Sequence, residues 1–191
     1  MQNVSPVILV IEGVDCVGKT TLAKAIASKR GFRYLYTPQP PLSVIRKEVE
    51  SLDDPNARFF YYLASVIAVQ RTLRADLDVG RSVVVDRYIH STLVMHRVLG
   101  VDVSCVSVEK LPILWPMVSV LLTATSETRA ARRDKRDGSQ DYDQRIEQSV
   151  GLLDRAQKAF ADSHQWSLVL ETDNLSGEQV EAQVTLLLQE Q

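Results

Sequence analysis

The stretch Val7-Ile-Leu-Val-Ile-Glu-Gly-Val-Asp-Cys-Val-Gly-Lys-Thr20 sets the architecture of this chain. Its first five residues are apolar and mostly β-branched, which predicts a short strand buried on both faces. A glycine-containing turn follows at once, and from Thr20 to Arg30 the apolar residues recur at helical spacing. The stretch therefore predicts a strand, a tight turn and a helix in immediate succession.

The turn, Gly13 to Thr20, matches the pattern GxxxxGK[ST] completely. In that pattern the glycines let the backbone curl so that N–H groups point at phosphate oxygens, helped by the positive end of the following helix. The Lys19 ammonium adds a point charge, and the Thr20 hydroxyl can bind Mg²⁺. The alternative, a glycine turn that only joins a strand to a helix, leaves Lys19 unexplained. The pattern therefore predicts a site for the phosphates of a nucleotide.

Further apolar runs and helical spacings alternate along the rest of the chain. Such alternation predicts right-handed βαβ units and one parallel sheet covered by helices on both faces. No repeat, linker or low-complexity segment divides the sequence, so we predict one α/β domain over residues 1–191. We expect strands at Phe32 to Tyr36, Ser82 to Val85, Val118 to Thr123 and Ser167 to Glu171, and helices at Leu42 to Ser51, Pro55 to Val79, Ile89 to Leu99, Val106 to Leu114, Glu127 to Arg136, Tyr142 to His164 and Ser176 to Gln189.

Composition excludes several classes of protein. The 22 basic and 24 acidic residues give a net charge of −2, so the chain has no overall basic field for a nucleic-acid polymer. Two cysteines form neither a disulfide framework nor a zinc motif, which favours a reducing compartment. The start, Met1 to Pro6, has no basic segment, and no apolar run is long enough for a membrane span. We therefore expect a cytoplasmic protein without a membrane partner.

Two observations narrow the class of nucleotide-binding protein. A switch GTPase carries an Asp-x-x-Gly after a later strand and an Asn-Lys-x-Asp string for guanine, and this chain has neither. It does contain a strand-terminal acid followed by an arginine, Asp86-Arg87, and an arginine-rich stretch from Arg129 to Arg136. These features favour a small-molecule kinase.

The motifs resemble those of the thymidylate kinase family. The resemblance rests on Glu12 to Thr21, on Val84-Val-Asp-Arg-Tyr88 and on the arginine-rich stretch, and it covers nearly the whole chain. It implies the P-loop NTPase fold, a five-stranded parallel sheet with helices on both faces and a small arginine-rich lid at approximately 132–145. It also implies transfer of the ATP γ-phosphate to a (deoxy)nucleoside monophosphate with the help of Mg²⁺, and a homodimer.

The resemblance assigns roles to the matched positions. Thr20 and Asp86 would hold Mg²⁺. ATP would lie near Arg129, near Asp173 and along the phosphate-binding loop, which comprises Gly13, Val14, Asp15, Cys16, Val17, Gly18, Lys19, Thr20 and Thr21. The expected catalytic residues are Lys19, Asp15, Arg87, Arg132, Arg133 and Arg136. The expected acceptor-binding residues are Asp15, Gln39, Tyr61, Tyr62, Arg87, Tyr88 and Tyr142.

The chain departs from the family pattern on the acceptor side, and these departures leave alternatives open. Pro38-Gln39-Pro40 lacks the arginine and the acid that family members usually carry there, and Phe60 to Ile67 contains no arginine to read the edge of a base. One alternative is a nucleoside kinase that phosphorylates a hydroxyl, although an amide such as Gln39 cannot act as its general base. A second alternative is an ATP-binding protein without catalytic activity. The arginine-rich stretch has its own alternative, because most runs of charged residues are solvated helix faces. The apolar stripe from Phe59 to Leu73 serves either a dimer interface or the core.

Overall fold

The computed structural model describes residues 5–135 and 151–189, and it confirms the predicted parallel sheet. The strand order is β2-β3-β1-β4-β5, so β1 is central and the chain visits strands on both sides of it. All five residues of β1 are buried because both its edges and both its faces are covered. The strands are β1 (Ile8–Glu12), β2 (Arg33–Tyr36), β3 (Val83–Asp86), β4 (Val118–Thr123) and β5 (Leu168–Glu171).

Helices cover both faces of the sheet, and alternate residues of β1 enter two separate apolar cores. Leu9 and Ile11 belong to one core, whereas Ile8 and Val10 belong to the other. The described helices are α1 (Lys19–Arg30), α2 (Arg46–Ser51), α3 (Pro55–Ala68), α4 (Gln70–Asp78), α5 (Ile89–Val98), α6 (Ser126–Asp134), α7 (Leu152–Ser163) and α8 (Gly177–Gln189). The part of the helix predicted from Tyr142 that precedes residue 151 lies outside the described residues.

The single helix predicted from Pro55 to Val79 is wrong, because the chain breaks into α3 and α4 at Val69. The buried amide of Gln70 donates to the Val66 carbonyl at 2.7 Å, and that carbonyl is the acceptor a continuous helix would use for the Gln70 backbone N–H. A 3₁₀ turn (Leu42–Ile45) likewise precedes α2 where one helix is predicted.

The helix predicted from Val106 to Leu114 is also wrong. The chain forms two 3₁₀ turns instead, Val103–Cys105 and Val108–Lys110. Pro112 removes a backbone donor and restricts the residue before it, so an α-helix cannot continue to Leu114. The Asp102 carboxylate stabilises the first turn by accepting from the Ser104 N–H at 3.0 Å.

None of the helices within residues 5–135 and 151–189 combines the length and the apolar character that crossing a membrane requires.

Gly13 directly follows the central strand β1 and packs closely against the backbone of the neighbouring strand β4. Its φ of +135° is a conformation that side chains with a Cβ rarely adopt. A Cβ at this position would also collide with the carbonyl oxygen of Leu122. Only glycine therefore lets the loop leave β1 at this angle.

We predict that Gly13→Ala lowers the free energy of unfolding by about 3 kcal/mol, the sum of backbone strain and overpacking. Gly80→Ala is the matched control, because Gly80 also has a positive φ, +74°, but no atom lies within 4 Å of the place that its methyl group would take. It should cost only about 1 kcal/mol of left-handed strain. Urea denaturation of both variants measures the difference, and equal losses would contradict the packing argument.

Candidate active site

The phosphate-binding loop leaves β1 and ends at the amino terminus of α1. Cys16 and Gly18 have φ values of +62° and +103°, and these two left-handed residues turn the backbone back over itself. The N–H groups of the first turn of α1 lack acceptors within the helix, as at any helix amino terminus. The loop therefore carries the positive partial charge that anions seek.

The Lys19 side chain lies buried inside this loop, where its ammonium group donates to the Val14 carbonyl. Burial, together with the charge of the nearby Arg87 guanidinium, lowers the pKa of Lys19 to about 8. The carboxylates of Asp15, Asp86 and Glu12 oppose this shift without overcoming it. The nearby carboxylates therefore do not fully balance the positive charge of Lys19, and a bound anion would supply the missing negative charge.

Asp86 ends β3 and faces α1. Its Oδ2 accepts from the Thr20 hydroxyl at 2.5 Å and from the Tyr34 hydroxyl at 3.4 Å. Its Oδ1 is buried and has no hydrogen-bond partner among the described residues. A carboxylate oxygen without a partner, beside a threonine hydroxyl, is the donor set that Mg²⁺ prefers.

Arg87 follows Asp86 and is held between the loop and a cavity. Its φ is +67°, and about a quarter of its side chain is exposed (26%). The guanidinium forms an ion pair with Asp15 and lies 3.4 Å from both the Gly13 carbonyl and the Ser91 hydroxyl. Burial would lower the pKa of Arg87, but Asp15, Asp86 and Glu12 raise it, so the group stays cationic.

A cavity of about 160 Å³ opens beside Arg87. Tyr62 forms part of its wall, and Thr92 and His96 of α5 line it as well. The His96 Nδ1 bonds the Thr92 carbonyl at 2.7 Å, and burial lowers the pKa of this ring, so it is neutral. The remaining lining residues are Asp15, Thr37, Arg46, Arg87, Ser91, Met95 and Leu99.

Three residues expected at the acceptor do not line this cavity. The Tyr61 hydroxyl donates to the Leu42 carbonyl at 2.8 Å, because consecutive residues of α3 point about 100° apart and only Tyr62 faces the cavity. The Tyr88 ring is fully buried in the core, where its hydroxyl donates to the Leu114 carbonyl at 2.8 Å. Gln39 is half-buried in its loop.

Two residues of α2 on the cavity side were not predicted from the sequence. The Arg46 Nε donates to Glu50 at 2.6 Å, and the Tyr62 hydroxyl donates to the same carboxylate, which is buried. Glu50 thus links Arg46 of α2 to Tyr62 of α3, the residues that these two helices contribute to the cavity wall. The only sequence signal is the i, i+4 spacing of Arg46 and Glu50, which is common on solvated helices.

A larger groove of about 570 Å³ lies on the other side of the loop. The residue Arg132 of α6 bridges its walls: it donates to the Cys16 carbonyl at 3.3 Å and to the Thr172 carbonyl at 2.6 Å. Further lining comes from the phosphate-binding loop, α1, β4, the segment after β5 and the start of α8, namely Val17, Gly18, Thr21, Leu22, Ala25, Lys29, Leu122, Leu175, Ser176, Gly177, Glu178, Val180 and Glu181.

Two residues expected at ATP have structural partners instead and do not line the groove. Arg129 is buried, and its guanidinium donates to the Ala124 carbonyl and to Asp154, both at 2.6 Å. Asp173 accepts from the backbone N–H of Thr125 at 2.9 Å and thereby stabilises the start of α6. Arg133 is half-buried and lies 3.8 Å from Asp134. Arg136, Tyr142 and most of the predicted lid lie outside the described residues.

Comparisons with known proteins agree with this geometry. A family model described as thymidylate kinase matches residues 11–184. A probable thymidylate kinase of Methanocaldococcus jannaschii is 29% identical over 68% of this chain and 70% of its own length, and one of Thermoplasma volcanium is 33% identical over 44% of each. The solved thymidylate kinase structure from Candida albicans superposes with a TM-score of 0.78 at 17% identity, over 97% of this chain and 92% of its own.

The corresponding structure from Ehrlichia chaffeensis gives a TM-score of 0.72 at 16% identity, over 97% of this chain and all of its own (100%). These two likenesses establish the P-loop NTPase fold. The family model, which spans nearly the whole chain, establishes more: this chain belongs to the thymidylate kinase family and is a phosphotransferase of the nucleoside monophosphate kinase type.

Proposed function

We propose that the protein transfers the γ-phosphate of ATP to thymidine monophosphate and yields the diphosphate. The observation that carries this proposal is the location of Arg87, which lines the 160 Å³ cavity and lies 3.4 Å from the Gly13 carbonyl of the phosphate-binding loop. A guanidinium at this boundary can hold an acceptor phosphate against the terminal phosphate of a donor.

The groove beyond the loop supports the donor half of the proposal. Its volume of about 570 Å³ suits a nucleoside, and it borders the loop at Gly18 and Thr21. The ATP phosphates would then run along the N–H groups of the loop and the Lys19 ammonium. Arg132 already bridges loop and groove, so its guanidinium is close to where the phosphates would lie.

Asp86 and Thr20 fit a Mg²⁺ ion that accompanies ATP. The buried Oδ1 of Asp86 has no partner among the described residues, and the Thr20 hydroxyl is 2.5 Å from the other oxygen. When bound, the ion would neutralise charge on the transferred phosphoryl group. Asp86 and Thr20 would hold it at the carboxyl edge of the sheet.

The cavity supports the acceptor half. A base stacked on Tyr62 would place its phosphate toward Arg87, and Asp15 would orient the guanidinium through their ion pair. A monophosphate oxygen is already anionic, so the attack needs no general base. The residues then contribute by positioning both nucleotides and by stabilising the charge of the transition state.

The nucleoside kinase alternative needs a base near a sugar hydroxyl. Glu12 is fully buried and its carboxylate accepts hydrogen bonds from the start of α5, whereas Asp15 is paired with Arg87. The described residues of the cavity therefore favour an anionic acceptor. Arg133 and Arg136 stay predictions of catalytic lid residues, and Tyr142 stays a prediction of an acceptor-binding residue.

A coupled assay for ADP formation tests this function on a panel of nucleotides and nucleosides with ATP and Mg²⁺. We expect the highest kcat/KM with thymidine monophosphate and no turnover with thymidine, because the anion supplies both the Arg87 contact and the nucleophile. Lys19→Ala is the control for the loop and should abolish turnover in a folded protein. Turnover with thymidine but not with its monophosphate would establish the nucleoside kinase instead, and acceptor-independent ATP binding without turnover would establish the non-catalytic alternative.

The buried ammonium group gives a separate prediction for ATP binding. In the free protein the pKa of Lys19 is about 8, so at pH 9 most molecules lack this charge. Bound phosphates favour the ammonium form, and binding above pH 8 must therefore take up a proton. We expect ATP affinity to fall as the pH rises above that pKa, by at most about tenfold per pH unit.

Titration calorimetry at pH 9 in two buffers of different ionisation enthalpy measures this proton uptake. Lys19→Arg is the matched control, because a guanidinium stays protonated, and it should bind ATP without proton uptake. An ATP affinity of the natural protein that stays constant from pH 8 to pH 10 would refute the buried-cation argument.

We further propose a homodimer that forms through α3 and a cytoplasmic location, which a content of only two cysteines fits. The inward face of α3 carries Phe59, Leu63 and Val66, while Phe60 and Ile67 are 53% and 37% exposed on its outer face. Two large apolar side chains seven residues apart on a helix surface suit a second copy of α3.

Sedimentation velocity should give twice the chain mass of 21.4 kDa, and Phe60→Glu should give the monomer. Val79→Glu is the control, because Val79 is 69% exposed and belongs not to α3 but to the end of α4. A monomeric natural protein, or dissociation by both variants, would exclude the α3 interface.

A further inference from the structure

Glu12 is a buried carboxylate that the proposed phosphoryl transfer does not use. It is the last residue of β1, directly before the phosphate-binding loop, and none of its surface is exposed (0%). Its Oε1 accepts from the backbone N–H groups of Tyr88 and Ser91, at 2.9 and 3.1 Å. Its Oε2 accepts from the Ser91 hydroxyl. The described partners of this carboxylate therefore all belong to the start of α5.

These hydrogen bonds do the work of a helix cap. The N-cap residue of α5 is Tyr88, which makes no side-chain hydrogen bond to the helix. An N-cap serine or aspartate would accept from the N–H of the third helical residue, and in α5 that residue is Ser91. Glu12, at the end of β1, accepts from this same Ser91 N–H. Its negative charge lies at the positive end of the helix.

The residue before this cap is Arg87, whose backbone is strained. A φ of +67° is unfavourable for an arginine, and such a conformation persists only where the surroundings impose it. The Arg87 N–H donates to the Ile11 carbonyl at 3.1 Å, and the next N–H, that of Tyr88, donates to Glu12. The end of β1 therefore holds the turn on both sides of Arg87.

We propose that Glu12 is a positioning residue that fixes the left-handed turn at Arg87 and so aims its guanidinium at the boundary between loop and cavity. The inference rests on the proposed function, in which Arg87 holds the acceptor phosphate. Without the carboxylate, the first turn of α5 loses its cap and Arg87 can relax to negative φ. The guanidinium would then swing away from the Gly13 carbonyl, which lies 3.4 Å from it.

The charge of Glu12 acts in the same direction as its geometry. Burial raises the pKa of Glu12 above its ordinary value, and the Ser91 bonds and the Arg87 charge oppose this rise without overcoming it. Because each carboxylate oxygen accepts at least one hydrogen bond, the ionised form is the one that completes this arrangement. A glutamine keeps one acceptor oxygen for the two backbone N–H groups but lacks the charge, so it should serve as a partial replacement.

A double-mutant cycle tests the inference with steady-state kinetics on thymidine monophosphate and ATP. We expect Glu12→Ala to raise the acceptor KM about tenfold while the KM for ATP changes less than about twofold. Glu12→Gln should raise the acceptor KM only about threefold, a partial rescue by the remaining oxygen. In an Arg87→Ala background, Glu12→Ala should leave the acceptor KM unchanged to within about twofold, because its effect passes through Arg87.

Asp76→Asn is the matched control, because Asp76 is also buried and bonds Arg81 beyond the end of α4, away from the cavity; it should leave both KM values unchanged. An equal rise of both KM values in Glu12→Ala, or the same rise with and without Arg87, would overturn the positioning role. If Glu12→Ala does not fold, Glu12→Gln decides, and an unchanged acceptor KM rejects the inference. If Arg87→Ala itself leaves the acceptor KM unchanged, the proposed acceptor clamp fails, a result distinct from a failure at Glu12.

Discussion

The pairing of β1 with β3 brings the two halves of the site together. The register sets Ile11 opposite Asp86, so both strands end at the same edge of the sheet. The residues that follow, Gly13 to Thr20 after β1 and Arg87 after β3, are thereby placed side by side. A shift of this register by one residue would turn every side chain of one strand to the other face and separate the two halves. Ligands of open α/β sheets bind at this edge for the same reason.

The positive charges of Lys19 and Arg87 at this edge of the sheet are not fully balanced by the protein's own carboxylates. Lys19 is buried with its pKa lowered to about 8, and Arg87 stands beside it with Asp15 as its ion-pair partner. Two cations so close together are stabilised by carboxylates only in part. Phosphates bound between the two cations would supply the missing negative charge. The site can therefore bind two nucleotides through their phosphates, with one base in the groove and the other in the cavity.

Local patterns predicted the parts of the site that are each contained in one short stretch of sequence. The loop from Gly13 to Thr20 and the acid at Asp86 depend on a strand, a turn and a helix in order, and strands of a parallel sheet must end at a common edge. The five-stranded sheet follows from the same alternation, and the structure confirms it. Glu12 lies inside the quoted stretch, yet its partners Tyr88 and Ser91 are more than seventy positions away and no local pattern indicates them.

Tertiary packing determined what local patterns could not predict. Tyr88 was expected at the acceptor, but the buried Gln70 amide donates to its hydroxyl and the ring lies in the core. Arg129 and Asp173 were expected at ATP, but Asp154 and Thr125 lie within hydrogen-bond distance once the chain is folded. Glu50 links Arg46 to Tyr62, and this link depends on where α2 packs against α3, which helical spacing alone does not fix.

A crystal structure with adenosine and thymidine joined through five phosphates would show directly whether one site holds both nucleotides by their charged ends. We expect adenine in the groove beside Arg132, thymine against Tyr62, and a phosphate chain that passes Lys19 and ends on Arg87. A thymidine end bound outside the cavity, or a phosphate chain that makes no contact with Arg87, would contradict this arrangement.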